Sequence, residues 1–566
     1  MSNGVFTFNN ASCLNYHAIF MSSGNDIRRS DGRIGINEII VTVPGLAVKA
    51  EEVVRAFHSR NGNTESENSE AITKDVGKMK EGLGIKQIRL PGYSESNVTF
   101  VADAIYTFIM KVTSSDRDTE RIRGDPVRNI YYASESNPDR SRPEAEASLL
   151  LVYSKLLGMD ADGYRWIVDM FKEATMIPVT YACAGGGISL ADAAAHVRAS
   201  CHYGSPESAL IITADTSIYD NSRAPNAEFT QGAGATLVWL TRDPEIATIL
   251  YDNRYGGFHM PLSDFTKFGH ETPIVHGKFS ERVYVYTVAK ALEKLEGSGE
   301  FPLRDIGFFV THVPFPKQSI YFASFLFAHY LKNYRKELFD EIQARPDVGR
   351  EPIGDNGRIT NLMDRKFREF NSEGEKQEES IIRFIEDDAE ISAYWEWMKR
   401  LRNQPEFSSF LEGLHINSAL ILPSEIGNSY SSSAFVAFSS LVKNAAKLHT
   451  GKGIKGILAF YGSGAIAKVL PLELHVSESN VKSQITIPTG MPKYLSAEQY
   501  LELHKSLITG DAARTITKED LVRKDMEFLH VPALSEGFHV RRRNPDGTGE
   551  YVYSDGSVTE PVLIRY

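Results

Sequence analysis

Cysteine is the first shortage. Three occur in 566 residues, Cys13, Cys183 and Cys201, too few and too scattered for a disulfide framework. A reducing compartment is the expectation. Long apolar runs are missing too: no stretch approaches the roughly 20 residues that cross a bilayer, so no membrane partner is expected. The first residues lack a basic segment followed by an apolar one, and no Lys or Arg precedes Arg28. That speaks against a secretory signal and a mitochondrial presequence, and a cytoplasmic location is expected. Positive charge is also in deficit, with 62 Lys and Arg against 73 Asp and Glu and a net charge of -11. Without a basic stripe to track phosphates, nucleic acid is not an expected partner. His259, His270 and His276 follow at spacings of 11 and 6, which match no metal-ligand pattern, so no metal is expected.

What is present is an ordinary globular composition, 42% hydrophobic and 24% charged. Residues 1–34 are rich in Asn, Ser and Gly and read as a polar N-terminal arm. A strand-like run, Ile39 to Val43, closes at Pro44-Gly45, and a polar loop spans Arg60 to Glu70. Val98, Val101, Ala104, Ile105, Phe108 and Ile109 then fall at helical spacing. Short apolar runs follow at 129–133, 176–182, 209–214 and 236–240, separated by helical patterns at 145–157 and 189–200. The rhythm returns with a helix at 283–295, a strand at 306–311, a helix at 319–331 and a strand at 454–460. Buried strands alternating with helices predict an α/β chain. Two comparable halves are expected, 35–250 and 251–566. A charged helical insertion at about 335–412 interrupts the second and reads as a solvated decoration.

Cys183 is the first candidate for chemistry. It ends a strand-like run and precedes Ala184-Gly185-Gly186-Gly187 and a helix. A helix N-terminus favours a thiolate, and glycines let backbone approach a substrate closely. An inert buried cysteine is the bland alternative. Cys201, at a helix end with no glycine loop after it, reads as packing, and Cys13 as part of the arm. His312 leaves a strand into Val313-Pro314-Phe315-Pro316-Lys317, a placement suited to polarising a carbonyl with a cation nearby. Glu135 lies just past another strand end. Alone, each of these is more ordinary than catalytic.

Together and in this order they resemble the hydroxymethylglutaryl-CoA synthase family of the thiolase superfamily. The resemblance rests on Gly77-Lys78 through Gly84, Ser134-Glu135-Ser136, Ala182-Cys183-Ala184-Gly185-Gly186, and Asn226 to Ala235. It continues through Pro273 to Ser280, His312 to Lys317, Leu422 to Ser433, and Phe460 to Gly464. It implies a thiolase fold, two similar α/β halves in a five-layer αβαβα arrangement, usually a homodimer with a possible thiolase partner. It also implies that acetyl-CoA and acetoacetyl-CoA are substrates in the mevalonate route to isoprenoids, with no permanently bound cofactor. Cys183 would carry the acetyl group, Glu135 would remove its methyl proton, and His312 would polarise the acceptor carbonyl. Cys183 and Ser463 would supply oxyanion N–H groups, and Asn428 would orient the acceptor. Lys78, Asn226, Thr230, Ser280 and Lys317 match positions that contact cofactor or product.

Three positions depart from the family pattern. Ala184 replaces an aromatic residue and brings the nucleophile motif closer to ketoacyl synthase III enzymes; His276 replaces an aspartate; Tyr321 replaces a second lysine. A synthase acting on a carrier-bound β-ketoacyl chain, as in polyketide β-branching, is the nearest alternative. A ketoacyl synthase III-like Cys-His-Asn enzyme is next, and a silent CoA-binding scaffold is the reading from another class. Lys317 leans toward free CoA, and Glu135 with Tyr430 toward the synthase.

Overall fold

The computed structural model describes residues 32–60, 69–136, 144–224, 226–250, 256–267, 272–299, 301–353, 358–372, 378–444, 453–475, 485–487, 492–509, 537–543, 549–554 and 564–565. Cys13, His270 and nearly all of the 1–34 arm lie outside them.

The principal sheet is built from runs that bury both faces. Its strands are β1 (Ile34–Thr42), β2 (Val127–Ala133), β3 (Thr175–Val179), β4 (Ser208–Ser217) and β5 (Gly232–Arg242). They continue as β6 (Ala247–Ile249), β7 (Phe308–Thr311), β8 (Ile454–Gly462) and β9 (Ile466–Leu474). The order is β7-β8-β9-β6-β1-β5-β4-β2-β3, and Gly256–His259 and Ile485–Thr486 add short strands to β9 and β1. β7 runs parallel to β8, and β2 runs parallel to both β3 and β4. Ile485–Thr486 runs parallel to β1, and the remaining neighbours are antiparallel. Along that order, the strands up to Ile249 fill one end of the sheet and β7, β8 and β9 the other. The three-residue β6 is the seam, pairing with β1 on one side and β9 on the other.

Alternation divides the core. Ile211 of β4 and Val238 of β5 face one hydrophobic cluster; Leu210, Ile212, Leu237 and Trp239 face a second. Neither face of these strands meets water, which is why their sequences read as apolar runs rather than period-two patterns. The helix Asn97–Ser114 covers the second cluster, and its Ser96 closes a capping box with Thr99. The helices Gly277–Glu296 and Pro316–Tyr334 cover the first. A smaller sheet of Leu46–Lys49, Gln87–Leu90 and Lys493–Tyr494 gathers a third cluster around Tyr500 and Phe229.

The expected solvated insertion is a correction. The described residues between 335 and 412 are mostly helical, as expected, but their charges line the outside of a packed layer. Phe339, Tyr394, Trp397 and Met398 are buried and continuous with the first cluster. The Arg282 guanidinium donates into this layer, to the Ile385 carbonyl and to Ser392 Oγ (3.2 Å). Charge density concealed the periodicity: the helix Ala389–Arg402 carries a buried stripe of Ile391, Tyr394, Trp397, Met398 and Leu401 between its charged residues.

Candidate active site

Parallel strands deliver the reactive side chains at their carboxyl ends, where an open α/β sheet leaves a crevice. Glu135 follows β2, Cys183 follows β3 and His312 follows β7. Ser463 follows β8, and Asn428 sits in the connection between Pro423–Ile426 and the turn Tyr430–Ser432. These come from both parts of the sheet, so the site forms only where they meet.

The nucleophile turn is held from within. Ala182 has φ of 43°, and Ala184 N–H donates to the Tyr181 carbonyl at 3.1 Å before the helix Gly185–His202 begins. The glycines differ from expectation. A Cβ on Gly187 would lie 2.4 Å from Phe460 Cγ, and one on Gly186 would lie 2.9 Å from the Ser431 carbonyl oxygen. Their smallness admits β8 and the 429–433 segment, protein rather than substrate. The effect is to press the helix N-terminus against the second part of the sheet, with Cys183 at the junction.

Cys183 is 8% exposed, and its thiol donates to Glu135 Oε2 at 3.0 Å. Burial raises the Glu135 carboxyl to about 8, helped by the nearby charge of Asp215. Burial, then the facing Glu135, raises the Cys183 thiol well above its ordinary value. The pair therefore holds its protons at neutral pH. His312 is pushed down to about 3 by burial and stays a neutral imidazole. Its Nδ1 meets Ser433 Oγ, which also accepts from Val313 N–H at 3.1 Å. A hydroxyl already accepting from the backbone keeps its own proton for Nδ1, which favours an N–H on Nε2. A neutral donor suits a carbonyl on its way to an alkoxide.

Two buried carboxylates escaped sequence reading. Asp215 of β4 accepts through Oδ1 from Ser134 Oγ (3.0 Å), Glu135 N–H (2.8 Å), Ser136 N–H (2.8 Å) and Ser136 Oγ (2.8 Å). Its Oδ2 accepts from Ser431 N–H (3.0 Å) and from the Ser431 hydroxyl. One side chain thus fixes the base and ties it to the Asn428 segment. Asp264 accepts from Ser280 Oγ (2.9 Å), Tyr461 OH (2.9 Å) and Gly464 N–H (2.9 Å), orienting the turn that carries Ser463. Its carbonyl accepts from His276 N–H at 3.1 Å. A carboxylate therefore stands beside the position where the family pattern has aspartate and this chain has His276. The only sequence signal was a lone acid within or beside an apolar run.

A cavity of about 330 Å³ opens on these groups. Cys183, His312, Asn428 and Ser463 line it, as do Lys78, Asn226, Thr230 and Ser280. Tyr219 and Tyr430 add aromatic walls, their rings edge-on at 6.3 Å. Lys317 is not among the residues lining the cavity; it stands at the start of Pro316–Tyr334, beside Gly84. Lys278, unremarked in the sequence, does line it. Tyr321 donates to the Gly82 carbonyl at 3.4 Å, and Arg402 of the insertion lies 4.7 Å over its ring. Cys201 is partly buried and packs against the core.

The family model described as hydroxymethylglutaryl-coenzyme A synthase C terminal matches residues 406–506. The hydroxymethylglutaryl-CoA synthase of Haloferax volcanii is 28% identical over 403 residues, covering 70% of this chain and 77% of its own. That of Saccharomyces cerevisiae is 23% identical over 428 residues, covering 72% and 73%. A solved structure of MvaS in complex with 3-hydroxy-3-methylglutaryl coenzyme A aligns with a TM-score of 0.57 at 18% identity, over 93% of this chain and 100% of that one. Over about 70% of its length the chain is similar to hydroxymethylglutaryl-CoA synthases. It has the thiolase-like fold and is an acyl-transferring condensing enzyme. Among the described residues no cluster of His, Cys, Asp and Glu could hold a metal ion, and no helix is long and apolar enough to cross a membrane.

Proposed function

We propose that this chain condenses acetyl-CoA with acetoacetyl-CoA and water to give 3-hydroxy-3-methylglutaryl-CoA and CoA, through an acetyl thioester on Cys183. The observation that carries the reading is the 3.0 Å contact between Cys183 Sγ and Glu135 Oε2, with Asn428, His312 and Ser463 around the same cavity. Ionised Glu135 takes the thiol proton as Cys183 attacks acetyl-CoA and passes it to the departing CoA thiolate, which leaves as the thiol and restores the carboxylate. Glu135 then removes a proton from the acetyl methyl group. The resulting enolate adds to the acceptor ketone, whose developing alkoxide meets the His312 Nε2–H and takes up the proton held by Glu135, giving the hydroxyl and an ionised Glu135. Backbone N–H groups of Cys183 and Ser463 serve the thioester oxyanion, an interaction worth about 3–4 kcal/mol in related chemistry.

Lys78 and Lys278 on the wall suit the phosphates of free CoA. Lys317 then acts from outside the cavity, as part of the approach to it. The pathway reading is the mevalonate route to isoprenoids, with the chain in the cytoplasm as a homodimer and a thiolase as supplier of acetoacetyl-CoA.

Intact-mass measurement tests the mechanism. Brief exposure to acetyl-CoA should add one acetyl group, absent in Cys183→Ala and discharged by acetoacetyl-CoA with formation of the hydroxymethylglutaryl product. An adduct discharged only by an acetoacetyl group on a carrier protein would move the reading to β-branching. No adduct would remove the covalent mechanism.

A further inference from the structure

A second cavity, of about 230 Å³, lies on the other side of Glu135. Cys183 lines the first cavity and Glu135 lines the second, so the 3.0 Å thiol–carboxylate contact bridges the wall between them. Phe265 and Tyr430 line both, and their rings meet edge-on at 6.1 Å. The two chambers are unlike. Around the nucleophile the wall is largely aromatic, with Tyr219, Tyr284 and Tyr461. Behind Glu135 it is more polar. Thr216 Oγ1 donates to Asn97 Oδ1 at 3.1 Å, and Asn97 Nδ2 donates to Ser136 Oγ and to Glu144 Oε2, each at 3.2 Å. Lys267, also on this wall, favours the ionised form of Glu135 by its charge. About 10–15 Å³ of such space accommodates one water with polar partners, so this chamber has room for several.

The proposed reaction creates a need for such a chamber. The acceptor keeps its own CoA thioester throughout. When the carbon–carbon bond has formed, the product is bound twice: by a thioester to Cys183, and by a CoA arm filling the first cavity. The thioester to Cys183 must then be hydrolysed while that arm still occupies the cavity through which the substrates enter. We propose that the polar chamber behind Glu135 is the water inlet for this last step, with Glu135 as the gatepost that activates the water it delivers. The inference rests on the synthase reading given above.

The step balances without any further reactant. A water oxygen bonds to the thioester carbonyl carbon as Glu135 takes one of its protons. The tetrahedral adduct collapses, the carbon–sulfur bond breaks, and its electron pair goes to Cys183 Sγ. The proton on Glu135 passes to that sulfur across the observed contact, restoring the thiol. The released carboxylic acid ionises and its proton leaves with solvent.

Leu507 and Ile218 line the chamber and belong to neither the nucleophile site nor its hydrogen bonds. Leu507→Trp, alone and with Ile218→Phe, places aromatic bulk in the inlet, while Leu507→Ala enlarges it. Two hydrolyses are compared by intact mass. Acetyl-Cys183 with the first cavity empty can draw water from either side. The Cys183 thioester of the condensed product, with its CoA arm in place, can draw it only from the second chamber.

The expected result is that both Trp-containing variants acetylate and hydrolyse acetyl-Cys183 as the parent does. They should accumulate the doubly bound product, its hydrolysis slowed about tenfold or more, a modest part of what water activation contributes. Leu507→Ala should show no such accumulation. Equal slowing of both hydrolyses, or of neither, would overturn the inlet and leave the synthase reading standing. Failure of the parent chain to form acetyl-Cys183 at all would instead remove the synthase reading.

Discussion

Glu135 does two things that conflict in water. It must be basic enough to take a proton from carbon, yet it must be ionised when the reaction starts. Burial resolves the first and endangers the second, lifting the carboxyl to about 8. Below that pH the pair with Cys183 carries both protons, and neither group can start the reaction. Acetylation of Cys183 should therefore accelerate as pH rises from 6 through about 8, and Glu135→Gln should abolish that inflection, leaving slow acetylation. Single-turnover release of CoA read across pH checks this; an unchanged inflection in Glu135→Gln would assign it to another group. At this scale much was legible. Cys183, Glu135 and His312 each stand just past an apolar run, and their order carried the resemblance. Asp215 and Asp264 were not, because a single acid in or beside a strand acquires meaning only when distant donors converge on it.

Elements matter here as carriers of aim. The short turn Ala227–Thr230 lines the substrate cavity through Ala227 and Thr230, and a buried network behind it sets its position. Glu228 accepts from Arg60 Nη1 (2.8 Å) and Nη2 (3.0 Å) and from Tyr500 OH (2.7 Å). His504 Nε2 meets Gln231 Oε1 at 2.9 Å, and Gln231 Oε1 also accepts from Tyr219 N–H at 2.8 Å. The helices Ala50–Arg60 and Ala497–Thr509 are thereby tied to the backbone of Tyr219 in the aromatic wall. Glu228 is fully buried, whereas Arg60 keeps about a third of its side chain exposed. Glu228→Leu should cost on the order of 3 kcal/mol of stability, toward the low end for a broken buried pair because Arg60 can still reach water. It should also raise the KM for acyl-CoA more than it lowers the acetylation rate at saturation. Urea unfolding and acetylation kinetics measure the two; an unaffected KM would confine the network to stability. Strand and helix positions followed from apolar periodicity, with boundaries shifted by a few residues. The insertion was misjudged because its buried stripe is interleaved with charge. The glycines of the nucleophile helix were noticed for the wrong partner, since nothing local says that Phe460 will lie against Gly187.

The whole molecule bears the cost of its buried acids, and pH should reveal it. Burial raises Glu38, Glu95 and Glu281 to about 7 and Glu135 to about 8, all from an ordinary value of 4.5. In the unfolded chain these groups release their protons near 4.5; in the fold they hold them until pH 7 or 8. Between those limits the native state binds more protons, so stability falls as pH rises across the window. Cys183, raised by burial, pushes the same way at the alkaline end. His312 acts oppositely and elsewhere. Its folded value of about 3 lies below the ordinary 6.5, so its contribution is lost as pH falls through that interval. Above 6.5 the raised carboxyls govern. The unfolding midpoint at fixed ionic strength should be higher at pH 6.5 than at pH 8.5, and Glu135→Gln should flatten part of that slope while destroying condensation. A midpoint that climbed between pH 6.5 and 8.5 would mean that these carboxyls ionise without penalty in the fold. Their burial would then be too shallow to make Glu135 the strong base that proton removal from carbon demands, so the stability curve also tests the chemistry assigned to the site.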